Sequence, residues 1–133
     1  MTYTTGANIG RTQTYLIDKP ALGSNHVNII RLKKEMNPIY VGFVMNSIIG
    51  RLQTDKYSAG SAQPELYPKD LDEFLIPILP ELAQYAIANK IQESFKLQKE
   101  TKLLLEAAKN AVEIAIEKNE KEAIKYLEKL NYA

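Results

Sequence analysis

The sequence predicts an α+β fold, with a small mixed head over residues 1–80 followed by a long C-terminal helix of coiled-coil type over residues 81–133. Three observations carry that reading. Short β-prone runs broken by Gly and Pro fill the first third of the chain. An Asn-Pro helix start at Asn37 and Pro38 precedes an apolar helical pattern. From residue 81 onward Gly and Pro vanish and helix formers dominate.

With 133 residues the chain has room for one ordinary domain or for a head plus one long helix, and 45% hydrophobic content with 25% charge argues against disorder. Lys and Arg total 17 against 16 Asp and Glu, so a formal charge of +1 gives no global field towards nucleic acid or an anionic membrane. Any such binding has to rest on local patches. Cysteine is absent, which excludes disulfides, thiolate metal sites and cysteine nucleophiles and fits a reducing cytoplasm. No apolar run approaches the roughly 18 residues that span a bilayer, and MTYTTGANIGRT has neither the basic segment nor the apolar core of a secretory signal. A soluble cytoplasmic protein without a membrane partner is expected.

Residues 3–10, YTTGANIG, read as a strand entering a turn where Gly6 and Gly10 supply positive φ or close backbone approach. The spacing of the glycines resembles a phosphate loop only superficially, because no Gly-Lys-Ser/Thr follows, and a structural turn is expected. RTQTYLI (residues 11–17) and HVNIIRL (residues 26–32) both read as half-buried strands, able to pair as an antiparallel hairpin. His26, the lone histidine, has no metal-ligand neighbours in sequence and is expected to hydrogen-bond at a strand edge. With no Cys and no acidic pair at convincing spacing, the chain is not expected to be an enzyme, and no metal or cofactor is expected.

After Asn37 and Pro38, the residues Ile39, Tyr40, Phe43, Val44, Ser47 and Ile48 recur at helical spacing, and Gly50 is placed near the helix end. The helix is expected to pack on the sheet. Arg51, Gln53, Lys56 and Tyr57 then form the most concentrated polar and basic surface of the head, open to two readings: a solvated helix end or a ligand contact. Ser61 and Gln63 follow in a small-residue turn. Gln can read an adenine edge, and it can equally tie a turn to neighbouring backbone. Residues 68–73 read as a short helix, and FLIPIL (residues 74–79) as a buried strand closed by Pro80.

The order TGANIGR, SNHVNIIRL, NPIYVGFVMNSIIGRLQ, AGSAQPELYPKDLDEFLIPILP and then a long helix resembles one half of the specificity subunit of type I restriction-modification enzymes, a module that related type II systems also use. Gly6, Gly10, Ser47, Gly50, Gly60, Ser61, Gln63, Leu66, Leu71, Ile76 and Pro77 carry the resemblance, which covers nearly the whole head. In that family a target recognition domain precedes a spacer helix. The family's helix commonly starts Glu-Gln-x-x-Ile, of which only Gln84 and Ile87 are echoed here. Met1 stands almost on top of the first motif, so the head is expected to be a partial target recognition domain.

The resemblance implies a non-catalytic recognition module for double-stranded DNA, paired with a second copy or half-subunit and docked to a DNA methyltransferase (modification) subunit. Two recognition domains held apart by paired antiparallel helices each read half of a bipartite target, and a symmetric dimer would make that target palindromic. The residues expected at DNA are Thr5, Asn8, Arg11 and Thr12 near the first turn, and Arg51, Lys56, Tyr57, Ser61 and Gln63 near the second. Lys and Arg would position phosphates, while Asn and Gln would read base edges. A different class remains beside it: an assembly or regulatory fragment that binds protein partners through its helix and does not itself bind DNA.

The long helix is expected over residues 81–118, roughly 55 Å at 1.5 Å per residue. Ile87, Ile91, Ser94, Gln98, Thr101, Leu105, Ala108, Val112 and Ala115 follow a 4-3 alternation, and Leu104, Ala111 and Ile116 widen that stripe. Ile87, Ile91, Leu105, Ala108, Val112 and Ala115 are therefore the expected dimerisation residues, since the head alone cannot cover such a stripe. Asn119 marks a break before a short amphipathic helix over residues 120–130, with Ala123, Ile124, Leu127 and Leu130 on one face, that folds back or docks to the partner. Nine acidic and nine basic residues from Glu81 onward read as a solvated face paired at i to i+4 rather than a binding site.

Overall fold

A computed structural model describes residues 1–58 and 64–131. Among these the chain is mostly helical, with a two-stranded sheet in a small mixed head and one long helix. It divides into a head, Met1–Asn89, and a helical unit, Lys90–Ala133. No helix among the described residues is long and apolar enough to cross a membrane.

The N-terminal segment is the centre of the head's backbone pairing. β1 (Thr2–Tyr3) pairs antiparallel with β2 (Val27–Asn28), with Thr2 opposite Asn28 and Tyr3 opposite Val27. On its other edge Tyr3 N–H donates to Arg11 O at 2.9 Å, Gly10 N–H donates to Tyr3 O at 2.9 Å, and Thr2 bridges Thr12. The 3-10 turn Gly6–Asn8 closes that hairpin, and Gly6 and Gly10 both have positive φ, +74° and +76°. The expected hairpin between residues 11–17 and 26–32 is therefore corrected. Residues 1–3 lie between those two segments and take the backbone bonds that would have joined them. Most of RTQTYLI and HVNIIRL stays outside regular strand, and β2 keeps only two residues.

α1 (Pro38–Asn46) starts as its sequence directs: Asn37 Oδ1 accepts from Ile39 N–H at 2.9 Å and Tyr40 N–H at 3.2 Å, with Pro38 at the first helical position. Tyr40, Val41, Val44 and Met45 form the buried core, joined by Ile30, Met36, Leu71, Phe74, Ile76, Leu79 and Ile87. Phe43 and Ile48, expected on the packed face, are exposed. The helix break also lies elsewhere than expected. Ser47, in extended conformation, ends α1 and starts α2 (Ile48–Ser58), its Oγ donating to Val44 O at 2.6 Å and accepting from Ile49 N–H at 3.2 Å. Gly50 instead sits buried inside α2, where a Cβ would collide with the Met45 carbonyl. Its lack of a side chain is what lets the first turn of α2 lie against the backbone at the end of α1.

α3 (Pro68–Asp72) fills the expected short helix, and Asp70 Oδ2 accepts Tyr67 N–H at 2.8 Å. FLIPIL is not a strand, which corrects that expectation. Phe74 and Ile76 pack on the core while Leu75 faces out, an alternation that needs extended chain but no ladder; it breaks after Pro77, where Ile78 faces out and Leu79 packs on the core. The missing strand partner is replaced by a side chain: Leu75 N–H donates to Gln53 Oε1 at 2.7 Å, and Gln53 Nε2 donates to Leu75 O at 3.1 Å. Tyr40 OH donates to Pro77 O at 2.8 Å and satisfies a second carbonyl.

α4 (Glu81–Glu117) matches its sequence pattern to within a residue. Its first turns are built into the head, where Gln84 and Ala88 are buried. Its remainder forms the helical unit with α5 (Glu120–Asn131), whose first turn is capped by Asn119 Oδ1 accepting Glu122 N–H at 3.0 Å. α5 turns back onto the end of α4: Asn110 Nδ2 donates to Tyr126 OH at 3.2 Å, and Ala111 and Ala123 are buried. The charge pairs of this unit fall at i to i+3, with Lys90–Glu93 and Glu106–Lys109 at 2.8 Å and Glu122–Lys125 at 3.9 Å. The hydrogen bond between Lys90 and Glu93 raises the ammonium pKa and lowers that of the carboxyl.

Candidate functional site

Two of the sequence-selected cations meet. Arg11 leaves the first turn and Arg51 projects from α2, and both line an open groove of about 470 Å³ whose other walls include Gly10, Asn46, Thr54 and Asp55. The groove exists because the turn docks on the helices. Thr12 N–H donates to Asn46 Oδ1 at 3.0 Å, and Asn46 Nδ2 donates to Thr12 O at 2.6 Å and to Gly42 O at 2.8 Å. Gly10 lies directly against the Thr54 side chain, so that a Cβ on it would be 2.9 Å from Thr54 Cβ. Arg11, Arg51 and Asp55 are exposed, and none of them forms an ion pair among the described residues.

The other expected DNA residues divide. Thr5 Oγ1 shares a hydrogen bond with His26 Nδ1 at 3.1 Å, which gives His26 the strand-edge role its position suggests. Thr12 Oγ1 lies 2.9 Å from Thr2 Oγ1 and donates to Gly10 O at 3.2 Å, so its side chain serves the hairpin rather than facing outward. Asn8 is exposed, and its carbonyl accepts Arg11 N–H at 3.0 Å. Lys56 and Tyr57 lie on a different side of α2 from Arg51: six residues correspond to about 120° of rotation between Arg51 and Tyr57. Tyr57 stacks on Phe74 with centroids 5.8 Å apart, and Lys56 Nζ sits 4.7 Å from the Tyr57 ring centroid. That face ties α2 to residues 74–75. Ser61 and Gln63, with Gly60, lie outside the described residues.

Thr54, Asp55 and Asn46 were not selected from the sequence. The signal for the first two was present, since residues 51, 54 and 55 stand at the i, i+3, i+4 spacing of one helix face. Asn46 became visible only through its long-range bonds to Thr12. Thr54 is 5% exposed, and its hydroxyl has no hydrogen-bond partner among the described residues.

Of the expected dimerisation residues, Ile87 packs against the head core. Ile91 is half-buried, whereas Leu105, Ala108, Val112 and Ala115 are exposed on α4. Ala111, read as part of the same stripe, is covered within the chain where α5 folds back. No group of three or more metal-ligating side chains occurs among the described residues. No family model, curated protein or solved structure matches the chain.

Proposed function

We propose that the chain is a non-catalytic DNA sequence-recognition module of a restriction-modification system, its head a partial target recognition domain and its helix a coiled-coil spacer. In this reading it acts in the cytoplasm, pairs through α4 with a second copy or half-subunit, and docks a DNA methyltransferase subunit. The observation that carries it is the convergence of Arg11 and Arg51, from two of the motif-bearing segments, on one open groove. Guanidinium groups stay charged at all relevant pH and present several donors, the chemistry used on phosphates and on base edges. With a formal charge of only +1, such a local patch has to do what the global field does not.

Fluorescence anisotropy on labelled duplex DNA, with and without a methyltransferase partner and over a range of salt, tests the proposal. Binding that exceeds a scrambled-duplex control and weakens as salt rises is expected. No binding above that control in either condition rejects it.

The exposed apolar residues of the helical unit favour a second reading: an assembly fragment that contacts protein through Leu105, Val112 and their neighbours without binding DNA. The same titration separates the two, because this reading retains partner binding and loses all duplex affinity.

A further inference from the structure

The groove contains a carboxylate as well as two guanidinium groups, and that combination narrows what it can take. Arg51 and Asp55 are one turn apart on α2, about 40° apart around the helix, and line the groove together. Arg11 reaches it from the first turn. Asn46, though polar and in the wall, has its amide committed to Thr12 and Gly42. Thr54 keeps its hydroxyl buried against Gly10, so the exposed side-chain groups left to engage a ligand are guanidinium donors and one carboxylate acceptor, none of them joined in an ion pair among the described residues.

A bare phosphate is a poor match, because Asp55 would repel it. A ligand that presents acceptors beside a donor matches better. The major-groove edge of a G·C pair does this: guanine offers N7 and O6 as acceptors, and cytosine offers its N4 amino group as a donor. Resting on the DNA-recognition reading, we propose that this groove reads a G·C base pair, with Arg51 donating to guanine N7 and O6, Asp55 accepting from cytosine N4, and Arg11 holding an adjacent phosphate. Asp55 is then a specificity-determining residue. It gains nothing from phosphate, and it selects against base pairs that place an acceptor where cytosine has its amino group.

Selection from a randomised double-stranded DNA library, followed by sequencing of the bound fraction, tests this for wild type and for Asp55→Ala, Arg51→Ala and Lys33→Ala. All three positions are exposed, and circular dichroism on each variant is the control for folding. Wild type is expected to select a G·C pair at one or more positions. Asp55→Ala should relax that preference roughly tenfold without loss of overall affinity, and Arg51→Ala should lose it together with affinity. Lys33→Ala, at an exposed position that does not line the groove, should leave it intact. Wild-type binding without base preference, or a preference unchanged by Asp55→Ala, overturns the base-reading assignment while leaving DNA binding standing. Failure of folded wild type to bind any duplex overturns the proposed function itself, and this site with it.

Discussion

Gln84, in the first turns of α4, accepts the backbone N–H of Asn37 through Oε1 at 2.9 Å, while Asn37 Oδ1 caps α1. Gln84 Nε2 donates to Leu79 O at 2.8 Å, so one side chain, 2% exposed, joins the start of the long helix to the cap of the core helix and to the end of the FLIPIL segment. An amide suits this position because it donates and accepts at once.

Gln84→Leu leaves a donor on Asn37 and an acceptor on Leu79 unpaired in a buried setting, and is expected to cost about 2–4 kcal/mol in urea denaturation. Gln84→Glu has a distinctive pH signature. A buried carboxyl beside the Leu79 carbonyl is favoured in its protonated form, so its folded pKa lies above the unfolded one. The folded state then holds more protons, and stability falls as pH rises. The variant should be clearly more stable in acid than at neutral pH, whereas wild type lacks this dependence.

Gly10 and Thr54 form a second tight contact. Gly10→Ala forces a side chain into positive φ and against Thr54, and is expected to cost about 2–4 kcal/mol. Thr54→Val removes a buried hydroxyl that has no partner among the described residues, so it should be neutral or stabilising by about 1 kcal/mol. Thermal melts of both variants give the comparison. A large loss for Thr54→Val would mean that the hydroxyl is satisfied in solution.

What was legible in the sequence was local. Asn37 with Pro38, the Gly-free and Pro-free run of α4, and Asn119 before α5 each act within a turn of where they stand, and each was placed to within a residue or two. The positive φ of Gly6 and Gly10 belongs with them. Strand pairing is non-local, and no single segment encodes it. RTQTYLI and HVNIIRL have the composition of strands but nothing that names a partner, and the first three residues of the chain took the positions between them. FLIPIL has a strand's composition without a strand's ladder because the Gln53 amide supplies the bonds of a neighbouring strand. The candidate site follows the same division. Arg11 and Arg51 are recognisable as cations near turns; Asp55 was not selected although its spacing from Arg51 carries the signal, and the stacking of Tyr57 on Phe74 depends on contact across the fold.

The helical unit leaves Leu105 at 55% and Val112 at 59% exposure on α4, beside exposed Ala108 and Ala115, while α5 occupies the face that holds Ala111. If a second copy pairs along the exposed stripe, each of these side chains is buried twice in a symmetric dimer. With a little over half of each side chain left to cover, burial contributes about 0.8–1.5 kcal/mol per copy, so Leu105→Glu or Val112→Glu should weaken a dimer by at least about tenfold. Light scattering on wild type is expected to give twice the chain mass, and either variant should give the monomer with its helical circular dichroism retained. Ala111→Glu is the contrasting case. It places a charge where α5 folds back, so it should reduce thermal stability of the helical unit before it changes the assembly. Folded Leu105→Glu and Val112→Glu proteins of unchanged mass would rule this face out as the pairing surface.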